Sequence, residues 1–169
     1  MIQQIDPSKI VYDRKFQDLC KHPFYGHAYG CPNYGRKIGC PPNQSLIDKV
    51  LDFENELCVI YTAFYVGEFA QRMRDLHPEW SQHPRQWYNP RRWQPTSRKQ
   101  HQNEIRIFSE EYLDRVVVRS PEAHGVNITD LLSKLGITLN WEWPPKHSLD
   151  NLVYTVSIGG FSLDHRQSE

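Results

Sequence analysis

The chain has 169 residues, 38% of them hydrophobic and 24% charged, a balance that suits one folded domain with one core and excludes a disordered polymer. Its formal net charge is zero, which argues against a protein that coats nucleic acid or anionic membrane through its overall field. The opening MIQQIDPSKIVYDRKF has no apolar secretory core, and the longest apolar stretch, Leu57 to Val66, is too short to span a bilayer, so a cytoplasmic protein with reduced thiols and no membrane association is expected.

Residues 1–19 are polar with scattered apolar positions and suit a strand or a short helix. Residues 20–44 set glycines and prolines between cysteines, which makes this an irregular loop whose shape must come from something other than backbone ladders. SLIDKVLDFEN (45–55) carries Leu46, Ile47, Val50, Leu51 and Phe53 at helical spacing, and Ser45 with Asp48 resembles a capping arrangement, so a helix is predicted here. ELCVIYTAFYV (56–66) is continuously apolar and reads as a buried central strand. GEFAQRMRDLH (67–77) suits a short helix, 78–97 shows no clear period, and a second helix is predicted from Thr96 or Ser97, with Ile105, Phe108, Tyr112 and Leu113 on its apolar side. Val116–Val118 suggests a short strand, and Asn127 opens a helix closed by Gly136. ITLNWEW (137–143) alternates like a half-buried strand, and LVYTVSIGGF (152–161) is the last strand. Helices and strands mix without a strict βαβ rhythm. The expectation is a single compact α/β or α+β domain over 1–169, a small mixed sheet flanked by helices.

Three cysteines, Cys20, Cys31 and Cys40, lie within 21 residues in CKHPFYGHAYGCPNYGRKIGCPPN. Thiolates are soft ligands for iron–sulfur clusters and zinc, and a loop rich in Gly and Pro brings backbone amides close to such a centre. Three reduced, buried cysteines without a metal would be unusual in so short and polar a stretch. Cys58 differs: it sits inside LCVIY and is expected in the core. Three cysteines with no nearby fourth suit a [4Fe-4S] cluster with one open iron, available for sulfur or substrate chemistry. With His27 added, the same cysteines could make a tetrahedral Cys₃His zinc site, and His22 is a weaker candidate for the fourth place.

The pattern C…GCPNYG…CPPN resembles a family of uncharacterised "predicted metal-binding" proteins of bacteria and archaea, whose N-terminal loop carries Cys-Pro-x-Tyr-Gly followed by Cys-Pro-Pro. SPEAHGVNITDLLSKLGI (120–137) is similar to the family's C-terminal Pro-x-Glu-Ala-x-Gly-[IV]-[ND] stretch. Many members carry a second, ferredoxin-like cysteine group just before that stretch. FSEEYLDRVVVRSPEA has none, so electron transfer between two clusters is not implied for this chain. The resemblance implies metal binding without a settled reaction.

The segment HPEWSQHPRQWYNPRRWQPTSRKQ (77–100) interleaves Trp80, Trp87, Tyr88 and Trp93 with Arg85, Arg91, Arg92, Arg98 and Lys99. Guanidinium groups fork onto phosphate and flat rings stack on bases, so Arg85, Trp87, Arg91, Arg92 and Trp93 are candidate contacts to a nucleotide or RNA. The alternative is a segment that packs its rings inward and leaves its arginines in water. His77, His83, His101, His124 and His147 are scattered, and Glu122 beside His124 makes a candidate acid–base pair. The chain contains no Walker A sequence, GxGxxG fingerprint, GxSxG elbow or HExxH helix. The two expectations are an iron–sulfur protein acting on a nucleotide or RNA and a zinc-stabilised binding module without catalysis.

Overall fold

The structure, a computed structural model, describes residues 1–24, 26–80 and 83–163. Four strands form one sheet: β1 (Ile2–Ile5), β2 (Leu57–Tyr65), β3 (Val116–Val118) and β4 (Leu152–Gly160), in the order β1-β2-β4-β3. Every pairing is antiparallel, with Ile2 opposite Ile60, Cys58 opposite Gly159 and Val118 opposite Ile158. The α+β class expected from the sequence is the observed one. The sheet itself is antiparallel throughout rather than mixed.

Five helices accompany the sheet among the described residues: α1 (Arg14–Asp18), α2 (Val66–Leu76), α3 (Pro84–Trp87), α4 (Pro90–Glu111) and α5 (Ile128–Lys134). Side chains alternate across a strand, and here both faces are covered, which is why β2 reads as an unbroken apolar run. On one face Leu57, Val59, Val156 and Ile158 pack with Leu131 and Leu132 of α5 and with Ile10, Ile47 and Leu51. On the other, Cys58 and Ile60 pack with Ile105 and Phe108 of α4, and Phe64 packs with Trp87, Tyr88 and Trp93. Cys58 is thus a core residue, as its surroundings in sequence indicate. None of the helices described is long and apolar enough to cross a membrane.

Three expectations are corrected by tertiary contacts. The helix predicted over 45–55 shrinks to a 3₁₀ turn, Ile47–Lys49, because Leu51 bridges Ser162 and the Asp52 N–H donates to the Phe161 carbonyl at 2.9 Å. Pairing with the end of the chain outweighs the local apolar period there. The strand predicted over 137–143 does not form: the Asn140 side chain accepts from the Glu142 N–H at 2.9 Å and bends the backbone, and Trp141 is left 71% exposed. Helix α4 begins at Pro90 rather than Thr96. The Asn89 side chain caps it by accepting from the Arg91 N–H at 3.1 Å, and Pro90 takes the first helical position, where a missing N–H is harmless. Pro95 removes one further donor without ending the helix. Gly136, with φ of 77°, stands past the end of α5 as expected of a glycine that closes a helix.

A polar chain crosses the interior between α4 and the sheet. His101 is 4% exposed, with Nδ1 2.9 Å from Thr62 Oγ1 and Nε2 2.8 Å from Ser157 Oγ; the Ser157 hydroxyl reaches the Arg119 carbonyl at 3.3 Å. One tautomer satisfies every partner: Thr62 donates to Nδ1, Nε2–H donates to Ser157, and Ser157 donates to Arg119 O. The Ser157–His101 pair has the spacing of a nucleophile and its base, but Ser157 is fully buried, so the pair is structural. Burial holds the imidazole below its ordinary range, helped by the nearby N-terminal ammonium and Arg119 and opposed by Glu104. Because the folded value lies below the unfolded one, the stabilisation is present above the unfolded pKa, about 6.5, and is lost as pH falls toward the folded value. Urea midpoints taken between about pH 7.5 and about pH 5.5 should therefore fall more steeply for the wild-type chain than for His101→Gln. Parallel slopes would show that His101 is not buried neutral.

Candidate metal centre

Cys20 lies on a 3₁₀ turn, Leu19–Lys21, that continues from α1. From there to Gln44 the chain turns repeatedly without a ladder, and of the described residues in 20–44 only Gly30 and Pro41 are buried. Tyr25 lies outside the described residues. Tyr29 is 99% exposed and Ile38 88%, so the loop is not organised by a hydrophobic core of its own.

Backbone contacts bring Cys20 and Cys31 together. The Cys31 N–H donates to the Cys20 carbonyl at 2.7 Å. Gly30, just before, has φ of 79°, and a Cβ there would stand 2.6 Å from the Cys20 oxygen and 2.7 Å from the Lys21 carbonyl. Only a residue without a side chain lets the two strands of the loop approach this closely. Further along, the Gly35 N–H donates to Pro41 O at 2.7 Å and the Cys40 N–H to Lys37 O at 3.0 Å, closing the turn that carries the third cysteine.

Cys20 and Cys31 line a hollow of about 650 Å³ together with His27, Tyr34 and Arg36. All three loop cysteines are reduced and half-buried. The Cys20 thiol is held above its ordinary range, first by burial and then by Cys31, Glu122 and Cys40, three groups that carry negative charge when ionised. Such a thiol ionises readily only when a cation neutralises its neighbours.

The hollow does not contain a closed set of donors for one ion. Among the described residues, no three of His, Cys, Asp and Glu stand close enough together to hold a metal ion. Neither the three-cysteine set nor the Cys₃His zinc arrangement is therefore assembled among the described residues. Tetrahedral zinc needs every sulfur about 2.3 Å from one point, whereas His27 lines the hollow with its ring tilted against Phe24 at 4.8 Å. His22 is exposed on the first turn of the loop.

The root of the loop is fixed by side chains that sequence reading passes over. Gln17 of α1 is 3% exposed, and its amide donates to the Gln44 carbonyl at 2.9 Å and the Ala123 carbonyl at 2.8 Å. It joins the start of the loop, its end and the turn Pro121–His124. His124 Nδ1 donates to the Ser45 carbonyl at 2.9 Å, and burial holds its ring below the ordinary range. That bond fixes the His124 ring at the root of the loop, and no hydrogen bond joins it to Glu122 among the described residues. No motif marks Gln17, because a single glutamine on a short helix has no distinctive spacing.

The Trp/Arg segment lies elsewhere. Trp87 is 6% exposed and Trp93 8%; Trp93 stacks on Phe64 at 5.9 Å, and its indole N–H donates to Tyr88 O at 3.1 Å. As stacking platforms for bases these two rings are corrected: they are core. Trp80 is half-buried, with His77 parallel to it at 3.9 Å and the Arg92 guanidinium 3.9 Å from its centroid. Arg85, Arg91 and Arg92 are on the surface. Ser81 and Gln82 lie outside the described residues. The segment packs on the α4 face of the sheet, while Ile47 and Leu51, just after the cysteine loop, pack on the opposite face.

No family model matches the chain, and no curated protein or solved structure matches it. Substituting Gly30→Ala should lower stability by roughly 1–3 kcal/mol, from a side chain forced into the left-handed region and against the Cys20 carbonyl. Gly39→Ala, where a Cβ meets nothing within 4 Å, should change it by less than about 0.5 kcal/mol. Urea unfolding of both variants decides this; equal midpoints would mean that the Cys20–Cys31 approach is not built in.

Proposed function

We propose that the chain is an iron–sulfur protein in which Cys20, Cys31 and Cys40 hold one [4Fe-4S] cluster, a reading of the three loop thiols that agrees with the metal binding implied by the family resemblance. The observation that carries this reading is the loop itself. The described residues of 20–44 hold three cysteines in a shape that neither a ladder nor a core explains, and two of these cysteines line one hollow. Ordering each residue costs about 1–2 kcal/mol in backbone entropy, more than the roughly 0.5–1.5 kcal/mol that a turn hydrogen bond returns. A metal centre supplies the missing term, since its binding energy acts as folding energy.

The donor chemistry favours a cluster over a single ion. A cluster takes each thiolate on a different iron, so its ligands stand further apart than those of tetrahedral zinc. The backbone bond between Cys31 and Cys20 supports that reading for two of the ligands, and Cys40, on its own turn outside the hollow, would have to move in to complete the set. When bound, such a centre supplies a Lewis-acidic iron at which a sulfur or oxygen donor can exchange. Lys21 and Arg36 at the hollow place positive charge beside the anionic thiolates. The reading places the protein in the reducing cytoplasm and does not extend to the Trp/Arg segment, where Trp87, Tyr88 and Trp93 are core.

Anaerobic reconstitution of the full chain with iron and sulfide should give a brown protein with broad visible absorbance and about four irons and four sulfides per chain. Cys20→Ser, Cys31→Ser and Cys40→Ser should each lose most of that iron, and Cys58→Ser should keep it. A colourless chain that carries stoichiometric zinc, or iron retention in all three loop variants, would contradict the proposal.

A further inference from the structure

A cleft of about 360 Å³ lies between α2 and α4 at the end of β2. Glu68, Phe69 and Arg72 of α2 line one side, Thr96 and Gln100 of α4 line the other, and Tyr65 stands beside them where β2 ends. The cleft shares no residue with the hollow at the cysteine loop. Its volume suits a small molecule rather than a macromolecule.

Glu68 precedes Arg72 by four residues on α2, the order in which a carboxylate and a guanidinium pair best along a helix. Other residues four apart use that spacing. Gln71 donates to Asp75 at 2.8 Å on the same helix, and on α4 Arg98 donates to Gln94 at 3.2 Å and Arg106 to Glu110 at 2.6 Å. Glu68 and Arg72 do not pair. The guanidinium carbon of Arg72 instead stands 5.4 Å from the centroid of the Phe69 ring. Among the described residues, the side chains of Glu68, Arg72, Thr96 and Gln100 make no hydrogen bond or salt bridge to another residue. One anionic, one cationic and two neutral polar groups thus border the same space with their bonding capacity unspent by the protein. The contact with Phe69 holds the arginine against its wall and leaves its N–H donors without acceptors.

We propose that this cleft binds a small zwitterion, an α-amino acid, with the carboxylate on Arg72 and the ammonium on Glu68. A purely anionic ligand would be repelled by Glu68 and a purely cationic one by Arg72, whereas a molecule carrying both charges meets an opposite charge at each end. Both charges of an α-amino acid are attached to one carbon. Residues four apart on a helix have Cβ atoms roughly 5–6 Å apart, so a single small molecule reaches both. Across the cleft, Thr96 and Gln100 offer hydroxyl and amide groups to the same charged ends. Tyr65 is 51% exposed and has ring surface left to cover the ligand's side chain. The site needs no metal and stands or falls separately from the cluster.

Amide chemical-shift titration of the full chain with glycine, leucine and phenylalanine tests this, each beside its N-acetyl and its carboxamide form. The free amino acids should bind and move the amides of α2 and α4 around the cleft. Blocking either charged end should weaken binding about tenfold or more, the worth of one hydrogen bond to a charged group. Glu68→Gln should weaken the free amino acids and leave the N-acetyl forms as they were, and Arg72→Gln should do the same with the carboxamides, which shows which residue holds which end. The proposal is overturned if no free amino acid binds at millimolar concentration, if the shifts move only elsewhere, if the blocked forms bind as well as the free ones, or if both variants bind like wild type. Glu68 and Arg72 are exposed, so neither substitution touches the core. Should a variant still fail to fold, the comparison of free and blocked ligands on the wild-type chain decides alone.

Discussion

The amide of Gln17 is the contact on which the geometry of the candidate site depends. A buried amide with two carbonyl acceptors fixes three points of chain at once: helix α1, the end of the cysteine loop at Gln44, and Ala123 in the turn that carries Glu122. Leaving two carbonyls without their donor in a buried place would cost about 1–3 kcal/mol each. The clamp lets a loop with little burial of its own start and finish at defined positions. His124, bonded to Ser45, reinforces the same junction from the other side.

The sheet supplies the rigid part of this arrangement and separates two surfaces. Leu57, Val59 and Ile158 point to the face where Ile47 and Leu51 follow the cysteine loop, and Phe64 points to the face covered by Trp87 and Trp93. The buried His101 chain, satisfied at both ring nitrogens, sits on that second face. The hollow that Cys20 and Cys31 line lies in the loop, with the cationic side chains of Lys21 and Arg36 beside them.

Much of the frame was legible in the sequence because its causes are local. The run LCVIYTAFY is a central strand since both faces are buried, Gly136 ends α5 with a positive φ, and Cys58 is core. The misses have non-local causes. SLIDKVLDFEN has a helical period, but Leu51 and Asp52 pair with the chain a hundred residues later, which no window of eleven residues can reveal. The tryptophans of 80–93 read as stacking surface or as core, and burial decides for Trp87 and Trp93, the latter against Phe64. In the cysteine loop, residue types motivate the metal-centre proposal, and the Cys20–Cys31 approach depends on Gly30, a position that spacing alone does not single out. Gln17 and the clamp around Glu122 left no mark in the sequence, because their partners are backbone carbonyls.

The central claim is that residues 20–44 owe their order to a bound metal centre rather than to burial. Amide hydrogen exchange of the reconstituted and metal-stripped chain, compared under anaerobic conditions, tests it directly. The account predicts strong protection of the amides of Cys31, Gly35 and Cys40 in the loaded protein and its loss on stripping, with β2 and β4 equally protected in both. Equal protection of the loop with and without metal would contradict it.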